Sequence, residues 1–263
     1  MPHKNQHIVL IGAGNLATQL GLALYEQGYS IVQVYSRTIA AAQTLASQIK
    51  ATATDNLAQL MPTANLYIYA IKDDALPEVI NKVTIDYGIH VHTSGSVPMA
   101  VFEGKRTNFG VFYPLQTFKK EKRVDFQPIP IFLEASNKQT FDNLNDIAKT
   151  ISKNVYNSNS EDRQILHLSA VFACNFTNHF YAIAGEVLKS TNLPFAVLLP
   201  LIREGVNKLE TLTPKEAQTG PAVRNDQNII NNHLKLLKVY PEWQEIYQQI
   251  TKNIQNYHNT KNE

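Results

Sequence analysis

Apolar runs recur along the first part of the chain in alternation with amphipathic stretches. His7 to Ile11, Ile31 to Tyr35, Leu66 to Ile71, His90 to Thr93, Phe109 to Phe112 and Ile129 to Glu134 predict strands. Asn15 to Gln27, Thr38 to Lys50, Asp74 to Val83 and Lys138 to Ser152 predict helices between them. Several strand runs are apolar on successive positions rather than alternate ones, as in strands covered on both faces. Alternation of such strands with helices predicts a doubly wound α/β sheet with a parallel core. Past the polar stretch Asn157-Ser158-Asn159-Ser160, which has a linker's composition, only helical patterns follow. These cover Glu161 to Ser190, Phe195 to Leu212, a helix opened by Thr213-Pro214-Lys215-Glu216, Asp226 to Val239 and Pro241 to Tyr257. The expected organisation is an α/β domain over 1–157 and an all-α domain over 158–263.

The first strand runs straight into Gly12-Ala13-Gly14-Asn15-Leu16-Ala17, which reopens as a helix. Gly-x-Gly-x-x-Gly/Ala in that setting leaves backbone N–H groups and a helix N-terminus facing a pyrophosphate, the fingerprint of a Rossmann-like dinucleotide site. Gly12 allows the tight turn, Gly14 the approach of the phosphates, and Ala17 with Gly21 close packing of helix on strand. The second strand ends in Ser36-Arg37-Thr38, with a cation and two hydroxyls where an NAD site places a carboxylate. A guanidinium there suits the 2′-phosphate of NADP; otherwise Arg37 simply begins the next helix as a solvated residue. Ligands sit beyond the carboxyl ends of parallel strands, so Ala70, Ile71 and Lys72 at the end of the third predicted strand, and Thr93, Ser94 and Gly95 at the end of the fourth, are further candidate cofactor contacts. Asp73 and Ser96 in those loops read equally well as turn or helix-capping residues.

Composition narrows the classes of partner. A net charge of +2, from 24 basic and 22 acidic residues among 263, makes no case for nucleic acid or a membrane surface. Cys174, the one cysteine, lies in an apolar stretch, as buried free thiols do, and cannot form an intramolecular disulfide. With no leader-like start and no apolar run long enough to span a bilayer, the expectation is a soluble cytoplasmic protein. No His/Cys/Asp/Glu spacing suggests a metal site.

At 100° per residue, His167, Asn175, Asn178, His179 and Glu186 fall on one side of the helix predicted over Glu161 to Ser190, whose other faces are mostly apolar. Such a stripe faces water, a partner helix or a cavity. His167 is a candidate general acid for an oxygen or nitrogen reduced by hydride, or a packed histidine satisfied by a neighbouring helix. Asn175 is a candidate amide donor to substrate, or an interhelical hydrogen-bond partner. Tyr113 and Gln116, in Tyr113-Pro114-Leu115-Gln116-Thr117-Phe118, and Asn178 are candidate substrate contacts. Arg224, in Gly220-Pro221-Ala222-Val223-Arg224-Asn225-Asp226, could clamp an anionic substrate or pair with Asp226 at a helix start.

With these residues in view, the chain resembles the Rossmann-like NADP oxidoreductases that carry a C-terminal helical domain of unknown function, relatives of 6-phosphogluconate dehydrogenase, pyrroline-5-carboxylate reductase and the deazaflavin-dependent NADP oxidoreductases. The resemblance spans nearly the whole chain. It rests on the Gly12-x-Gly14-x-x-Ala17 turn, Ser36-Arg37-Thr38, Thr93-Ser94-Gly95, the Tyr113 to Phe118 segment, His167 with Asn175, and the Gly220 to Asp226 segment with His233. It implies an NADP-dependent oxidoreductase acting on a small molecule in an interdomain cleft, and a homodimer packed through the C-terminal helices; a non-catalytic NADP(H)-binding module is the alternative. Two departures stand out. The family often has His where this chain has Tyr113. Related hydroxyacid dehydrogenases use a Lys-x-x-x-Asn pair on the first helix after the cofactor domain, whereas this helix has Asn175 with no lysine before Lys189, so their substrates do not transfer.

Overall fold

The structure, a computed structural model, describes residues 6–259. It divides into two bodies between Val171 and Phe172, inside the helical run rather than at the polar stretch before it.

The first body is built on an eight-stranded sheet in the order β3-β2-β1-β4-β5-β6-β7-β8. Its strands are β1 (His7–Ile11), β2 (Ser30–Tyr35), β3 (Thr52–Thr54), β4 (Leu66–Tyr69), β5 (Ile89–His92), β6 (Phe109–Pro114), β7 (Ile131–Ala135) and β8 (Val155–Asn157). The helices α1 (Asn15–Glu26), α2 (Ile39–Ile49), α3 (Leu76–Lys82) and α4 (Lys138–Ile151) intervene, and α5 (Ser160–Ala170) follows. All pairings are parallel except β6 with β7. The apolar reading of β1 is explained by burial on both faces: Ile8 and Leu10 enter one core cluster, Val9 and Ile11 the other. Gly21 on α1 lies over this strand, and a Cβ there would sit 2.7 Å from the Leu10 side chain. The strands β3 and β8 were not foreseen; at three residues each they are too short to carry a period.

The second body is helical: α6 (Thr177–Leu188), α7 (Leu199–Asn207), α8 (Pro214–Ala217), α9 (Gln227–Leu236) and α10 (Pro241–Asn259). Here the pattern needs correction in three places. A π-type turn, Val171–Phe176, separates α5 from α6. Each π step turns the chain through less than 100°, so the projection that put His167, Asn175 and Asn178 on one stripe does not hold through it. The stretch over Phe195 to Leu212 is a short α-helix flanked by 3₁₀ turns, and the helix opened by Thr213 has only four residues despite its complete capping box. Cys174 is exposed rather than buried, because few side chains of this body are buried at all; Ala222 and Ile230 are the buried apolar ones among its described residues. Among the described residues no helix is long and apolar enough to cross a membrane.

Candidate active site

The strand order reverses at β1, which is flanked by β2 and β4, so the crevice beyond the carboxyl ends of β1 and β4 is where an open parallel sheet binds its ligand. A cavity of about 620 Å³ lies there. Its first wall is the turn after β1. Gly12 donates its N–H to the Tyr35 carbonyl at 2.8 Å. It has φ +127°, and a Cβ would fall 2.2 Å from the Ala70 carbonyl oxygen, so no other residue fits. Gly14 is the N-cap of α1 and makes no side-chain cap. The space its Cβ would take is open, which leaves the first-turn N–H groups beside Ala13, Asn15 and Leu16 facing the cavity. This donor set fits a pyrophosphate.

Ser36 and Arg37 line the cavity beyond β2, and Ala70, Ile71 and Lys72 beyond β4. Arg37 and Lys72 are exposed, and neither forms an ion pair among the described residues. Thr38 does not line the cavity; it is the N-cap residue of α2, its backbone N–H donating to Ser36 Oγ at 3.4 Å.

Thr93, Ser94 and Gly95 form the next stretch of wall. Ser94, not Ser96, is the turn residue of this loop, its Oγ accepting from the N–H groups of Ser96 and Val97. Ser96 instead donates its hydroxyl to Asp73 Oδ2 at 2.5 Å, tying this loop to the one after β4. Asp73 makes no side-chain cap to the helix that follows.

Tyr113, Gln116 and His167 complete the cavity. Tyr113 Oη lies 3.1 Å from His167 Nδ1, with the rings edge to face. Burial raises the pKa of Tyr113, so it stays a phenol at neutral pH. Gln116 is exposed, and its side-chain oxygen accepts from the Thr117 N–H. Of the remaining sequence candidates, Asn175, Asn178 and Arg224 belong to the helical body, where all three are exposed. Arg224 and Asp226 do not pair; Asp226 alone caps α9 by accepting from the Ile229 N–H.

A solved structure from Bacteroides fragilis, described as a putative NADP oxidoreductase, is similar over 96% of this chain and 99% of its own, with 50% identity and a TM-score of 0.93. This chain belongs to the same NADP oxidoreductase family. In keeping with that membership, residues 129–254 match the family model of a domain of unknown function, DUF2520, and residues 2–84 that of shikimate/quinate 5-dehydrogenase. Protein TM1727 of Thermotoga maritima shares the fold at 19% identity and TM-score 0.76, over 95% of this chain and 99% of its own. Glutamyl-tRNA reductase of Methanococcus maripaludis is 34% identical over 91 residues, 31% of this chain, so the chain spans about a quarter (24%) of that curated relative.

What holds this family member's site together has no signature in the sequence. Arg163, one turn before His167, is fully buried. It pairs with Glu134 on β7 and donates to the Val97 carbonyl at 2.6 Å and to Ser160 Oγ at 3.2 Å. Ser160 in turn donates to Glu134 and accepts from the Met99 N–H. The start of α5 is thereby fastened both to the sheet and to the loop that carries Gly95. His90 and His92 are buried on β5. The ring of His90 stacks on Tyr67, with Nδ1 3.0 Å from Tyr69 Oη and Nε2 3.2 Å from the Tyr87 carbonyl. His92 packs on Phe102, and its Nδ1 accepts from the Ser94 N–H. Burial, reinforced by Arg106 beside His90 and Arg163 beside His92, pushes both down to about 3. A histidine in a strand run reads as half polar, and nothing in its spacing signals burial of this kind.

Proposed function

We propose that the chain uses NADPH to reduce a carbon–oxygen or carbon–nitrogen double bond of a small molecule, with His167 supplying the proton. One observation carries this reading: a single cavity joins the Gly12–Gly14 turn and Arg37 to the Tyr113–His167 pair. Arg37 follows β2 and Tyr113 lies on β6, four strand spacings or roughly 19 Å across the sheet, the reach of an extended dinucleotide. NADPH bound there would supply a hydride. The turn would hold the pyrophosphate, Ser36 and Arg37 would hold the 2′-phosphate, and His167 would supply the proton to the substrate oxygen or nitrogen. Asn175, Asn178 and Arg224 are proposed substrate contacts on donor chemistry alone.

Titration of purified protein with NADPH and NADH, followed by nucleotide fluorescence, tests the cofactor assignment. Arg37→Ala is expected to weaken NADPH about tenfold to a hundredfold, the loss of charge-assisted hydrogen bonds to a phosphate, and NADH by less than about twofold. Equal weakening of both would remove Arg37 from the 2′-phosphate. Pyruvate, cyclohexanone and 1-pyrroline serve as probes of the keto-acid, ketone and imine classes. His167→Ala should lower NADPH oxidation by the active probe about 10²–10⁴-fold while NADPH affinity is retained; unchanged turnover would exclude His167 as the proton donor.

We further propose a homodimer formed through the helical body, in the cytoplasm. Large apolar side chains such as Phe172, Leu201, Leu236 and Val239 are more than half exposed there, and a partner copy would cover such apolar area.

A further inference from the structure

We infer that Tyr113 is a positioning residue that engages Nδ1 of His167, leaving Nε2 as the atom through which the proton is exchanged. The inference deepens the proposed reduction and rests on it for its catalytic part. Three observations converge on the pair. The first is the contact itself: Tyr113 Oη to His167 Nδ1 at 3.1 Å, with ring centroids 6.2 Å apart and the planes at 71°.

The second is Gly95. Its φ is unexceptional for an L-residue, yet a Cβ there would lie 2.8 Å from His167 Nδ1 and 2.8 Å from Tyr113 Oη. The residue at 95 must therefore lack a side chain for the phenol and imidazole to meet. The third is the fastening of α5. Arg163, held by Glu134 and the Val97 carbonyl, fixes the turn that precedes His167, while β6 fixes Tyr113 from the sheet. Both rings are thus set by buried structure.

The chemistry of a hydroxyl partner is specific. A phenol donates to a bare Nδ1 and, on rotating its O–H, accepts from a protonated one, so the imidazole keeps one orientation in both protonation states. In the reducing direction the hydride adds to the substrate carbon, and the π pair moves to oxygen or nitrogen. The proton leaves Nε2 of the imidazolium, and His167 remains as neutral imidazole with its proton on Nδ1, donated to the Tyr113 oxygen. Solvent returns a proton to Nε2. The phenol keeps its own proton throughout, because burial makes tyrosinate costly.

Tyr113→Phe keeps the ring and its packing against Phe132 and removes only the hydroxyl. Imidazole ¹H–¹⁵N correlation spectra of histidine-labelled protein without nucleotide read the contact directly. The expected result is a displaced Nδ1 resonance of His167 in Tyr113→Phe, with a smaller change at Nε2. Gly95→Ala, which wedges a methyl between the two rings, should give the same change. With the probe substrate that wild type reduces, Tyr113→Phe should lower kcat about tenfold while KM and NADPH affinity stay within about twofold. An unchanged Nδ1 resonance, or an unchanged kcat, would overturn the inference. If His167→Ala itself leaves turnover intact, the proposed reduction through His167 fails, and the spectra still decide whether the phenol engages Nδ1.

Discussion

Acidification from about pH 6 to about pH 4.5 is expected to cost the protein roughly 4 kcal/mol of folding stability. The cause is the pair of buried neutral histidines on β5. In the unfolded chain each titrates near the ordinary histidine value of about 6.5, whereas in the fold each is pushed down to about 3, by burial first and by Arg106 or Arg163 second. Between those limits the unfolded chain binds protons that the native state refuses. Stability therefore rises with pH across the window, and their contribution, complete above the unfolded value, is lost as pH falls toward 3. Each histidine contributes about 1.4 kcal/mol per pH unit. Asp86, whose pKa is lowered by its hydrogen bonds from Thr107, adds a loss of the same sign that begins near about pH 5 and grows below it. Urea midpoints at the two pH values measure the effect, and His92→Asn should halve the slope. A midpoint that does not move would show that the two rings take up protons in the folded state.

Arg163→Met should destabilise the protein by about 3–5 kcal/mol, the cost of leaving one member of a buried ion pair alone. Glu134 would keep Ser160 as a donor but lose its counter-charge, and the Val97 carbonyl would lose its guanidinium. Because the same contacts fasten α5, the variant should also disturb the His167 resonances. Adding Glu134→Gln should recover part of the loss, since the pair is worth little against neutral groups of similar size. Thermal or urea unfolding of the two single variants and the double closes the cycle. A loss below about 1 kcal/mol for Arg163→Met would mean that the guanidinium is solvated.

Both predictions concern residues that the sequence reading passed over, and the reason is physical. Arg163 stands near the start of a helix with Glu161 and Asp162 beside it, where a charged residue normally faces water. Its partner Glu134 lies on a strand 29 positions earlier, a separation with no periodic signature. His90 and His92 sit in an apolar run that predicts a strand, and they lie on one, but their burial depends on Tyr67 and Phe102 packing against them from other segments. The exposure of Cys174 and the π turn after α5 were hidden likewise, since a helical period cannot show where the chain is overwound or underwound.

The glycine turn after β1 was legible because everything it needs is local. Gly12, Gly14 and Ala17 act through a φ angle, an open approach and a close packing, and each is a property of one residue and its neighbours in the chain. Ser36-Arg37 is local too, placed by the end of one strand. The pairing of Tyr113 with His167 is of another kind. It joins β6 to α5 across 54 positions, and it exists because Gly95 from a third segment leaves room and Arg163 fastens the helix. Short-range chain geometry therefore specified the glycine turn and the end of β2 that line the cavity, while the pairing of Tyr113 with His167 in the same cavity depended on contacts between distant segments, which only the packed sheet and α5 supply.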